Sequence, residues 1–83
     1  MNTYKDLFKD TLKRIANIHE LKYDGRTDKI SKGQKSVKFV LLKSSDIKTN
    51  VNKKNNIIFV NKRDVRRYRL LRDETEKVLA RNR

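Results

Sequence analysis

In residues 37–43, VKFVLLK, apolar side chains fall on both faces of an extended chain. Val37, Phe39 and Leu41 point one way, and Lys38, Val40 and Leu42 the other. Such a run predicts a strand at the centre of a sheet, or one packed on helices by one face and on a partner by the other. Residues 56–60, NIIFV, read as a second strand of the same kind. The polar stretch between them, KSSDIKTNVNKKNN at 43–56, reads as a long hairpin connection. A shorter run, IHELKY at 18–23, predicts a further strand.

Both flanks of this strand-forming region carry helical periodicity. Thr3 can cap a helix with Asp6 as its capping-box partner, and Tyr4, Leu7, Phe8, Leu12 and Ile15 make one apolar stripe. Asp10 and Arg14 stand at favourable i,i+4 spacing on the polar side. The second helix is expected over 62–80, with Asn61 as N-cap and Asp64 in its first turn. Val65, Tyr68, Leu71, Thr75, Val78 and Leu79 form its inner face. Arg69 with Asp73, and Arg72 with Glu76, can pair along its outside. The pairs Lys62/Arg66 and Arg63/Arg67 are like-charged, at the end of a helix that disfavours cations. The expected architecture is a single α+β domain over 1–83, in the order α-β-β-β-α. It is a two-layer fold with a three-stranded antiparallel sheet and both helices packed on one face.

Composition narrows the function. The chain has 23 Lys and Arg against 10 Asp and Glu, a net charge of +13 on 83 residues. A charge of that density repels itself unless a polyanion neutralises it, and nucleic acid is the expected partner. A solvated protein from a lysine- and asparagine-rich proteome is the bland alternative, for which KTNVNKKNN at 48–56 speaks. With no cysteine there is neither a disulfide nor a thiolate metal site. No apolar run reaches the ~20 residues of a membrane span, and no apolar signal segment opens the chain. A cytosolic or nuclear protein with no cofactor is expected.

The segment LKYDGRT at 21–27 resembles the signature that ends the first strand and opens the long loop in the 14 kDa subunit family of the signal recognition particle. In register with it, LLK at 41–43 is similar to the end of that family's second strand, and KRDVRRY at 62–68 to its second-helix opening. The resemblance covers roughly residues 18–80. It implies an RNA-binding, non-catalytic protein that pairs with the 9 kDa subunit, or with itself, and clasps the Alu domain of the particle RNA on a concave sheet. It also implies a cytoplasmic ribonucleoprotein, nucleolar during assembly, that meets the ribosome indirectly and supports elongation arrest during targeting to the endoplasmic reticulum. On this reading Asp24-Gly25 opens a long basic loop, since RTDKISKGQKS at 26–36 lacks the apolar alternation of a returning strand.

The expected RNA-binding residues are Arg26, carried over from the motif, and Lys29, Lys32 and Lys35 of the loop. Lys43 is carried over from the strand end, and Lys53 and Lys54 lie near a basic position of the family whose counterpart is Asn55. Lys38 follows from strand alternation alone. The chain departs from the family in a short helix-to-strand link and a shorter loop, and relatives often carry a further basic tail. RNA assembly is therefore better supported than elongation arrest.

Two other classes compete. A small basic ribonuclease toxin would need an acid and a base converging on one phosphate. His19 is the only histidine, and Asp24 and Asp28 read as turn formers rather than metal ligands. A double-stranded RNA or DNA binder would use the helix start, through Lys62, Arg63 and Arg66.

Overall fold

A computed structural model describes residues 3–44 and 46–81. Helix α1, Tyr4–Ile18, is closed at its start by the expected capping box, in which Thr3 and Asp6 satisfy each other's backbone N–H. It ends at His19, where Glu20 takes a left-handed φ of 54° and the Leu21 N–H bonds back to the Ala16 carbonyl at 2.7 Å. Phe8, Thr11, Leu12, Ile15 and Ala16 are its buried residues.

The strands are β1 (Lys22–Asp24), β2 (Lys29–Lys32), β3 (Lys35–Leu41), β4 (Asn50–Asn52) and β5 (Ile57–Val60). They form one mixed sheet in the order β1-β2-β3-β5-β4. The three-stranded antiparallel sheet read from the sequence is thus corrected to five strands, with β3 and β5 parallel. The reason lies in the polar stretch between them. It contains β4, which takes the outer edge and hands β5 the place beside β3, so the link from β3 passes over the end of β5.

The long basic loop after Gly25 is also overturned. The chain turns within residues 25–28, returns as β2, then turns again at Gly33-Gln34 into β3. Ile30 explains why so polar a segment makes a strand. It is fully buried between its register partners Tyr23 and Val37, and in a strand of four residues one such anchor suffices. Gly33 supplies the positive φ, 65°, that a two-residue hairpin turn demands. The first turn is fastened by side chains. Asp24 Oδ1 accepts from the Arg26 N–H at 2.9 Å, and Asp28 Oδ1 accepts from the Tyr23 hydroxyl at 2.9 Å and from Lys9 Nζ at 3.0 Å. Lys9 also donates to the Gly25 carbonyl, which ties α1 to the turn.

The second helix starts later than its periodicity implies. A 3₁₀ turn, Lys62–Asp64, is capped by Asn61, and helix α2 runs only from Tyr68 to Arg81. The Thr11 hydroxyl donates to the Val65 carbonyl at 2.6 Å, diverting an acceptor that a continuous helix would use. The like-charged pairs of 62–67 add to the cost of helix there. The helix-helix contact thus overrides local periodicity.

Phe8, Leu12 and Ile15 of α1, Leu71 and Val78 of α2, and Val65 pack with Ile30, Val37, Phe39, Ile58 and Val60 in one core. The strand members are register partners or stand two residues apart, so they share one sheet face, and both helices lie on it. The Phe8 and Phe39 rings meet edge to face at 6.4 Å.

Candidate nucleic-acid interface

The opposite sheet face follows from the same register. One row across it reads Asp24, Lys29, Lys38, Ile57, Asn52. A second reads Lys22, Ser31, Ser36, and a third Val40, Phe59, Asn50. Lys22, Lys29 and Lys38 are exposed, while Val40, Ile57 and Phe59 are half-buried and stand outside the core. Neither helix lies on this side. A shallow depression here is lined by Lys29, Ser36, Lys38, Asn55, Asn56 and Ile57.

Lys29 and Lys38 face each other directly on adjacent strands. Among the described residues, neither has a carboxylate within ion-pair distance, and nor does Lys22. Like charges in register weaken a sheet; Asp24, the other register partner of Lys29, offsets part of that cost, and a bound anion would relieve the rest.

The expected site residues do not all converge. Lys29 and Lys38 share the open face as a pair. Lys32 and Lys35 are also register partners, but three residues along a strand reverses the face, so they point to the helix side. There they line a cavity with His19, Leu21, Glu76, Leu79 and Ala80, at the negative end of the α2 dipole, where cations are favoured. Arg26 is exposed in the β1–β2 turn, its backbone N–H committed to Asp24. Lys53 and Lys54 are exposed in the four-residue β4–β5 turn, which shares the depression through Asn55 and Asn56. Lys43 is exposed on the link beyond β3. Sequence reasoning missed Lys22 and Phe59. Alternation from Ile30 and from Ile58 would have placed both, once the strands and register were known.

Around this face the ionisable groups are set by turn chemistry. The Arg26 N–H holds the Asp24 carboxyl below its ordinary range, so it remains an anion. Burial, then the hydrogen bond to Asp28, pushes the Tyr23 hydroxyl up, so it stays a donor. No group of three or more His, Cys, Asp or Glu that could hold a metal occurs among the described residues. His19 caps the end of α1, rather than lying in a strand, with Nε2 3.2 Å from the Tyr68 hydroxyl and Nδ1 3.8 Å from Glu76.

A second basic region surrounds the start of α2. Arg63, Arg66, Arg67 and Arg69 are exposed there, and Arg67 pairs with Asp64 at 3.4 Å. Lys62 Nζ lies 5.2 Å from the Tyr4 ring centroid. Of the expected helix pairs, Arg72 meets Glu76 at 3.8 Å but also takes Asp73 at 3.0 Å. That closer hydrogen bond to Asp73 holds the Arg72 guanidinium above its ordinary pKa. Arg14 stacks over the Tyr68 ring at 4.6 Å.

Compared with models of known protein families, with curated proteins and with solved structures, the chain shows no match.

Proposed function

We propose that this chain is an RNA-binding protein that holds the phosphate backbone of its ligand against the open sheet face, through Lys22, Lys29 and Lys38. One observation carries the reading: two lysines with no ion pair among the described residues stand in register on a face that neither helix covers. The net charge of +13 supplies the long-range attraction. Arg26, Lys53 and Lys54, on the turns at the margins, extend the contact. Lys32 and Lys35 are left out because they point the other way.

The finer form of the proposal comes from the resemblance to the signal-particle subunit. It makes the ligand an Alu-type RNA fold, and the partner a 9 kDa-type subunit or a second copy. Helices on one side and a bare basic sheet on the other speak for it. The tight 25–28 turn and the parallel β3–β5 pairing speak against it, because the motif's long loop is missing. The proposal therefore rests at RNA, with the Alu-type fold as one arm of its test.

That test is an affinity titration of Lys29→Ala/Lys38→Ala beside Arg63→Ala/Arg66→Ala. The ligands are an Alu-type RNA, an unrelated RNA hairpin and a DNA duplex. The first pair is expected to cost about 1–3 kcal/mol on RNA, as lost charge-assisted contacts, and the second well below that. The reverse ranking would move the site to the start of α2 and favour the duplex binder. Preference for the Alu-type RNA over the hairpin would carry the finer reading, and equal affinity would remove it.

A further inference from the structure

Phe59 is the one aromatic side chain of the sheet's open face among the described residues. It is flanked in register by Val40 and Asn50, and two residues back Ile57 is flanked by Lys38 and Asn52. The apolar residues on the other side of the same strands all join the core, whereas Val40, Ile57 and Phe59 remain partly exposed without one. We infer that this Val40–Ile57–Phe59 patch is a stacking platform for an unpaired base, so that the ligand is a single-stranded segment rather than a duplex. The inference rests on the RNA-binding reading and names the class of RNA.

Charge decides what covers the patch. Its border on the β3 side is Lys38, with Lys29 and Lys22 beyond it on neighbouring strands, and Asp24 is the sole carboxylate placed on this face by register. A second copy laid face to face would press these lysines against their equivalents, with +13 on each chain. A polyanion meets no such repulsion. A duplex keeps its bases stacked inside and presents phosphate to a flat surface, which engages the lysines but leaves Phe59 idle. A single strand offers both parts at once, phosphate to the cations and a free ring face to the apolar centre.

The chain contains no tryptophan, so Phe59→Trp installs a unique fluorophore at the proposed contact. It is titrated with a short oligouridylate, with the same ribose-phosphate strand lacking bases, and with an oligouridylate–oligoadenylate duplex. Stacking predicts quenching by the oligouridylate and none by the other two. Phe59→Leu, which keeps an apolar side chain, is expected to bind the oligouridylate about tenfold more weakly while binding the baseless strand unchanged. Lys29→Ala/Lys38→Ala in the same series separates the two readings. If binding depends on those lysines while Phe59→Trp is not quenched and Phe59→Leu binds as tightly as the parent, the platform is overturned and the phosphate reading stands. If binding ignores the lysines as well, both fall. Thermal melts by circular dichroism confirm that each variant folds, and the leucine variant decides the matter if the tryptophan does not.

Discussion

Gly25 and Gly33 are the chain's two glycines, and the fold asks different things of them. Gly33 sits at φ 65° with open space where a side chain would go, so alanine there meets no clash but does meet the left-handed backbone penalty. Gly25 has no such φ, and an added Cβ would rest 3.5 Å from the Tyr23 ring, an ordinary contact. Gly33→Ala is therefore expected to lower unfolding free energy by about 1–2 kcal/mol, and Gly25→Ala to leave it nearly unchanged, as read by urea denaturation. The glycine of the YDGRT segment is thus sterically undemanding here. What fastens that turn is side-chain chemistry, with Asp24 on the Arg26 N–H and Asp28 held by Tyr23 and Lys9. Asp24 bonds nearby backbone, as its place in a glycine-containing turn led us to expect, whereas Asp28 is held by two side chains instead. Arg26 remains exposed at the turn.

At the scale of elements, the end of α1 offers the cleanest test of local energetics. Glu20 occupies the left-handed position that closes a helix, where glycine is ordinarily found. Glu20→Gly should raise stability by about 1 kcal/mol in the same denaturation experiment, since the exposed glutamate has no ion pair to lose among the described residues. Elements with several anchors could be read from the sequence. The stripe from Tyr4 to Ile15 gave α1 and its cap, and VKFVLL gave the central strand with Lys38 on the face opposite Val37. Elements with one anchor could not. The strand β2 has Ile30 alone among polar residues, and β4 has Val51 alone between two asparagines. With β4 hidden, the parallel pairing of β3 and β5 was hidden too. Read as a loop, the segment groups Lys32 and Lys35 with Lys29, because a loop has no faces, whereas a hairpin sorts lysines by parity. The break before Tyr68 was only half legible locally: the like-charged pairs of 62–67 stand in the sequence, but the Thr11 hydroxyl that meets the Val65 carbonyl comes from another helix.

For the molecule as a whole, two helices of 15 and 14 residues cover one side of a five-stranded sheet and leave the other to solvent. A chain of 83 residues has little core to spare, and a net charge of +13 works against its compact state. The register-opposed Lys29 and Lys38 add to that cost on the bare side. A ligand rich in phosphate offsets both terms at once, and so should stabilise the fold as well as occupy it. The most direct measurement is an amide chemical-shift map of the labelled protein titrated with RNA. The account predicts that Lys22, Lys29, Lys38 and Phe59 shift together while the buried helix residues Leu12, Ile15, Leu71 and Val78 stay still. Shifts concentrated on Arg63, Arg66 and Arg69, with the sheet face silent, would contradict it.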